Sequence, residues 1–228
     1  MLAEISVIIP TLNAAREIGP ALGSISSLDG LALIREVIFA DGGSEDEIEK
    51  IAEACGAEIV TAVPGRGGQL RCGLDAAAGS WILILHADTR LGAGWENSLQ
   101  VFMQNHEDRA GYFRFALDDE GVMPWLLARL VALRCRLFAL PYGDQGLFIS
   151  RALYDEIGGY RDIPLMEDVD LVRRLGRKRL QLIDVAATTS AVRYRRSGYI
   201  RRSLRNLVCL TLYFLGIAPD RIKRMYEK

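Results

Sequence analysis

The chain has 228 residues, half of them hydrophobic and a quarter charged, with a net charge of −1. That is the composition of an ordinary soluble globular protein, with length for one substantial α/β domain and too little for two large ones. Four scattered cysteines, Cys55, Cys72, Cys135 and Cys209, form no CxxC pair, which excludes a disulfide frame or a zinc site and points to reduced thiols in a cytoplasmic protein.

Residues 5–9 read as a buried strand that runs into Pro10-Thr11-Leu12-Asn13. With an acid and no basic segment in the first ten residues, this start reads as a strand and not as a secretory signal. Residues 14–27 look helical. A second strand at 37–40 runs into Asp41-Gly42-Gly43-Ser44, and Ser44-Glu45-Asp46-Glu47 has the form of a capping box opening a helix to about Cys55. A short strand at 58–61 precedes Gly65-Arg66-Gly67-Gly68 and a helix from Gln69 to about Ala77. The five apolar residues at 81–85 then stop at His86-Ala87-Asp88-Thr89, and a helix follows over 94–105.

Such alternation predicts a wound, mostly parallel sheet flanked by helices. In a parallel sheet the three polar strand ends meet at one edge, where open α/β sheets bind ligands. The second half is elaborated, with strands at 112–117, 145–150 and 180–184 and helices at 123–140, 168–175 and 200–216. The apolar runs at 123–140 and 207–218 are broken by arginines or fall short of the ~20 residues that span a bilayer. They read as core helices first and as membrane-surface helices second.

Charge is lopsided: residues 171–228 hold 15 of the 28 basic residues and three of the 29 acidic ones. This implies an anionic partner. For Arg193-Tyr194-Arg195-Arg196 and Arg201, Arg202 and Arg205 a solvated face is the commonest explanation. Phosphate or lipid contact at an anionic membrane surface comes second and nucleic acid a distant third, so no nucleic acid is among the partners expected.

Asp88 admits two readings, a ligand for Mg²⁺ or Mn²⁺ or a cap on the turn before Gly92. Asp41 suits a base or ribose contact, a tight turn, or both. Arg66 and Arg71 flank a glycine-rich phosphate loop that is neither a Walker loop nor a dinucleotide fingerprint. Glu167, Asp168 and Asp170 open a helix, where acids stabilise the N-terminus, and one of them suits a general base. Asp144 and Gln145 precede a strand and are the right types to hold sugar or acceptor hydroxyls.

Taken in order, these segments resemble the family 2 glycosyltransferases of the GT-A fold over residues 5–185, and within them look most like a bacterial subgroup, the selenodomain-associated transferases. The resemblance implies one domain over 1–228, with a nucleotide-binding half at 1–110 and an acceptor-side half at 111–228 ending in a basic helical segment. It implies nucleotide contacts from Pro10, Thr11, Asn13, Asp41, Arg66, Arg71 and Ala87, and a metal on Asp88. It places Asp144, Gln145 and Glu167 on the acceptor side, with Asp168 as the base. The implied reaction is inverting transfer of a single sugar from a UDP- or GDP-linked donor to an acceptor hydroxyl. The expected setting is the cytoplasm, peripheral at the inner face of the membrane. His86 stands in place of the family's first metal aspartate, and Gly42 where many members have a second aspartate, which leaves the nucleotide open. The Gln-x-x-Arg-Trp motif of processive synthases is absent, which favours single transfer. Two other classes fit less well. A sugar nucleotidyltransferase would carry a lysine-containing opening loop, and a non-catalytic nucleotide- or lipid-binding module would explain His86 as lost metal chemistry.

Overall fold

The structure is a computed structural model that describes residues 3–226. Met1, Leu2, Glu227 and Lys228, which enter the readings of both termini, lie outside the described residues.

Eight strands form one mixed sheet. The strands β1 (Ile5–Thr11), β2 (Ile34–Asp41), β3 (Glu58–Thr61) and β4 (Trp81–Ile84) are parallel, with β1 between β2 and β4. Every residue of β4 is buried, as two-sided cover requires. Beyond β4 lie β7 (Leu147–Ser150), β6 (Ala110–Leu117), β8 (Leu180–Thr189) and β5 (Thr89–Leu91), in the order β3-β2-β1-β4-β7-β6-β8-β5. β7 is antiparallel to both β4 and β6, and β6 and β8 run parallel.

Alternate residues of β1 face opposite layers. Val7 and Ile9 share a core cluster with α1 (Gly19–Ile25), α3 (Ile48–Cys55) and α5 (Trp95–Asn105) through Ile25, Ile48 and Trp95. Ile8 packs with α4 (Arg66–Ala76) and α8 (Glu167–Leu175) through Leu74 and Leu171. A third apolar cluster joins β6 to α6 (Val122–Phe138) and α9 (Val192–Ser197). The short helix α7 (Arg151–Glu156) follows β7, and α10 (Tyr199–Phe214) and α11 (Pro219–Tyr226) come last among the described residues.

Four details differ from the sequence reading. The helix expected at 14–27 is confined to α1, because Pro20 has no N–H to give inside a helix and fits only in its first turn. A separate short helix, α2 (Leu28–Leu33), follows, capped by the Ser27 side chain on Gly30 N–H. The capping box does not form. Ser44 Oγ instead donates to Asp41 and accepts from Asn13 N–H, so α3 starts at Ile48. Finally, the residues after Asp88 become β5, which crosses to the far edge and pairs with β8.

Candidate active site

Topology brings distant side chains to one sheet edge. The last residue of β4 faces the first residue of β7, Ile84 opposite Leu147. The 3-10 turn Gly143–Gln145 in front of β7 therefore arrives beside His86-Ala87-Asp88. α4 and α8 start at the same edge. Between them is a cavity of about 130 Å³ lined by Arg66, His86, Asp88, Asp144, Glu167 and Asp168.

Asp168 is held by two backbone donors. Gly143 N–H donates to Oδ2 at 2.8 Å and Val169 N–H to Oδ1 at 2.7 Å. Each oxygen keeps a further lone pair for a proton or a hydroxyl. Gly143 must be small here, since a Cβ at that position would lie 2.6 Å from His86 Nε2.

The cavity is a carboxylate cluster balanced by one guanidinium. Burial, with Asp168 adding to it and Arg66 opposing, pushes Glu167 up to about 7. Burial, opposed by Arg134 and reinforced by Asp168 and Asp88, raises Asp144 to about 6. Burial works against the charge on Arg66, but Glu167, Asp168 and Asp88 outweigh it and hold the arginine firmly protonated. Its Nη1 lies 4.0 Å from Glu167 Oε1. Burial, then Arg66 and Arg193, push His86 well below the ordinary imidazole value, so it is neutral at neutral pH.

Among the described residues no three His, Cys, Asp or Glu side chains are arranged to hold a metal by themselves. Mg²⁺ and Mn²⁺ suit oxygen ligands, and Mg²⁺ at phosphate sites is held by one or two carboxylates, with substrate and water completing the shell. The donor set fits that pattern: Asp88 opens into the cavity, and Asp144 Oδ1 is buried there with no hydrogen-bond partner.

Residues 6–160 match the family described as Glycosyl transferase family 2. The chain belongs to that family. Over 93 residues it is 34% identical to glucosyl-3-phosphoglycerate synthase of Mycolicibacterium smegmatis, a match covering 37% of this chain and 30% of that protein. The matched segment is thus about a third of the length of the curated relative. The glucosyl-3-phosphoglycerate synthase of Mycobacterium tuberculosis, solved with Mn²⁺ and UDP-glucose, superposes with a TM-score of 0.63 at 23% identity, over 94% of this chain and 79% of that one. TarS residues 1–349 from S. aureus give 0.63 at 16% identity, over 82% and 60%. The same TarS fragment is also described with UDP-GlcNAc. At these identities the structural likeness establishes the fold, an α/β architecture of the GT-A type.

Several of the expected nucleotide residues lie outside the cavity lining, at the adjoining ends of β1 and β2. Asp41 is buried and accepts from Thr11 Oγ1, Ser44 Oγ, Gly43 N–H and Ser44 N–H at 2.6–2.9 Å. Burial raises its pKa, but these hydrogen bonds win and hold it below the ordinary carboxylate value. Four donors fill the acceptor sites of one carboxylate, so in this geometry Asp41 shapes the loop. Asn13, with φ +52, accepts from Glu45 N–H through its side chain. Pro10 is half-buried in β1, and Ala87 is packed in the core with 8% exposure, leaving only its backbone for a ligand. Arg71 is exposed on α4, outside the cavity lining.

Gln145 is not brought into the cavity. It is 2% exposed; its amide donates to Phe113 O and its carbonyl accepts from Arg134, Cys135 and Tyr142. It anchors the turn that carries Gly143 and Asp144. Gln69, read in the sequence only as the start of a helix after the glycine-rich loop, has a similar part. Its Nε2 donates to Thr11 O at 2.8 Å and Ala40 O at 3.0 Å, tying the ends of β1 and β2 together.

The basic segment expected as a solvated face is so in part, with Arg195, Arg196 and Arg201 exposed, but two of its arginines also reach the site. Arg193 and Arg202 line the cavity, with Tyr194, Asn206 and Tyr226. Arg202 lies over the Tyr194 ring at 5.1 Å, and its Nε is buried without a partner. The interleaved tyrosines were the available signal, since they supply the apolar faces on which guanidinium groups stack.

Proposed function

We propose that this chain transfers a single sugar from a nucleotide-diphosphate sugar to an acceptor hydroxyl with inversion at the anomeric carbon. The reading rests on one observation: Asp88 and Asp168, 80 positions apart in sequence, line the same cavity. A UDP-linked donor is favoured, because the M. tuberculosis relative and TarS are described with UDP-glucose and UDP-GlcNAc. The cavity of about 130 Å³ is well below the roughly 300–1,000 Å³ of pockets that enclose whole ligands. The reacting sugar end would lie inside it and the nucleoside outside, over the edge formed by Pro10, Thr11, Asn13 and Asp41.

Asp88, with Asp144 beside it, would hold Mg²⁺ or Mn²⁺. When bound, that ion neutralises charge on the departing diphosphate. Arg66 adds a fixed positive charge at the same place. Asp168, aimed by Gly143 and Val169, takes the proton of the acceptor hydroxyl. The freed oxygen attacks the anomeric carbon from the face opposite the diphosphate, and the sugar–diphosphate C–O bond breaks. Glu167 is largely protonated below pH 7 and serves as a hydrogen-bond donor to the sugar side. Arg193 and Arg202 favour an acceptor that carries an anion near its hydroxyl.

On this reading residues 1–110 and 111–228 act as two halves of one domain. The finer likeness to the selenodomain-associated transferases rests on the motif set that includes residues 141–146, and the relatives named above are not described as members of it. Among the described residues no helix is long and apolar enough to cross a membrane, so attachment to an anionic membrane surface would run through the basic C-terminal part. The test is a thermal-shift panel of UDP- and GDP-sugars with and without Mn²⁺. A rise in Tm that needs both sugar nucleotide and metal supports the reading, and a flat panel overturns it.

A further inference from the structure

A second and larger cavity adjoins the first. The apolar sides of α6 and α10 enclose a groove of about 820 Å³. Leu130, Leu133 and Leu137 line it from α6, and Leu207, Leu210 and Phe214 from α10. Apart from Leu210, these side chains are about half exposed, between 48% and 58%. A contiguous apolar surface of this kind marks a binding site. The volume lies within the range of small-molecule pockets.

Two observations identify the occupant. The first is continuity: Tyr142, Asp144, Tyr194 and Asn206 line both the groove and the carboxylate cavity. Whatever fills the groove ends within reach of Asp168. Within that cavity the buried Arg202 Nε has no acceptor, and an anionic head group would supply one. The second is charge. Neither α6 nor α10 contains an acid, and between them they carry Arg129, Arg134, Arg136, Arg201, Arg202 and Arg205. An apolar trough between two helices whose charged residues are all arginines matches an amphiphile with an anionic head.

We infer that the acceptor is a lipid, with its hydroxyl on an anionic head group in the cavity between Asp168 and Arg202 and its hydrocarbon chain along the α6–α10 groove. This rests on the transferase reading and specifies its acceptor. The chemistry is unchanged: the lipid O–H gives its proton to Asp168, an O–C bond forms to the sugar, and the nucleoside diphosphate leaves.

The test is calorimetric binding of lysophosphatidylglycerols with chains of 8, 10 and 12 carbons, below their micelle concentrations, with chain-free glycerol 3-phosphate as the reference. Full burial of a methylene is worth about fourfold in affinity, so even a half-open groove gives at least a ~tenfold gain from 8 to 12 carbons. The double variant Leu137→Gln/Leu207→Gln alters exposed positions only and is expected to abolish that gain while keeping the Mn²⁺-dependent UDP-glucose thermal shift. Val101→Gln, at an exposed position of α5 outside the groove, is expected to keep both. Binding that does not depend on chain length overturns the inference. So does a dimer in sedimentation that the double variant dissolves, since a second copy would then fill the groove. Donor binding without chain-length dependence leaves the transferase reading standing and removes the lipid. Chain-length dependence without donor binding removes the transferase reading, and the acceptor role falls with it.

Discussion

Gly143 and Asp168 are joined by a hydrogen bond of 2.8 Å from the Gly143 N–H to Asp168 Oδ2. It links the turn before β7 to the first turn of α8, and it fixes the direction in which the carboxylate faces the cavity. The proposed base is therefore positioned by a backbone donor and not by another side chain.

Asp168→Asn keeps the side-chain shape but cannot take a proton, and its amide retains an acceptor for only one of the two backbone donors, Gly143 and Val169. Transfer is expected to fall by about 10²–10⁴-fold. Donor affinity measured with Mn²⁺ is expected to stay within a few fold. Initial-rate kinetics with a separate donor titration check both.

Gly143→Ala places a methyl 2.6 Å from His86 Nε2 and 3.6 Å from Asp168 Oδ2. The turn must shift, and the hydrogen bond to Asp168 lengthens. The expected outcome is a kcat reduced by roughly tenfold or more with donor KM little changed, since a small misplacement of a reacting group is costly. Adding His86→Ala relieves the contact, and partial recovery of kcat in the double variant is the readout specific to this geometry.

Glu167 gives the stability a pH dependence of defined sign. Its folded-state value of about 7 lies above the ordinary 4.5, caused by burial and then Asp168, with Arg66 opposing. The folded state thus binds the proton more tightly, and stability is lost as pH rises from about 4.5 to about 7. Each pKa unit is about 1.4 kcal/mol, so this is an effect of a few kcal/mol at most. Asp41 has the opposite sign and costs stability only when pH falls below the ordinary carboxylate range. In Glu167→Gln, Tm between pH 5 and pH 8 is expected to flatten, as followed by circular dichroism.

Much of this site was legible in the amino-acid order. The three strand ends, the carboxylate pair 167–168 and the helix at 199–214 lie where apolar runs and polar breaks placed them. What was not legible depends on contacts between distant segments. Nothing near Gln145 says that its amide is used up by Phe113, Arg134 and Tyr142. The Ser44 segment has the local form of a helix cap, but a buried carboxylate at Asp41 is a stronger partner for the serine than its own helix. Arg193 and Arg202 reach the cavity only because α9 and α10 fold back over the edge after β8, a path that local pattern does not encode.

Gln69→Ala tests the packing beneath the nucleotide edge. It removes two buried hydrogen bonds, to Thr11 O and Ala40 O, and leaves carbonyl capacity unfilled. A loss of roughly 2–3 kcal/mol is expected, or a Tm lowered by some 4–12 °C. Denaturant unfolding checks the size. A loss below about 0.5 kcal/mol would mean that the two strand ends hold without the clamp.

The proposed transfer depends on Asp88 linking metal to donor in the cavity that Asp168 shares. The most direct measurement is calorimetric titration of UDP-glucose into wild type and Asp88→Asn, each with and without Mn²⁺. The predicted result is a gain in affinity of at least about tenfold on adding Mn²⁺ to wild type, and no gain in Asp88→Asn. An equal Mn²⁺ effect in both proteins would contradict the account.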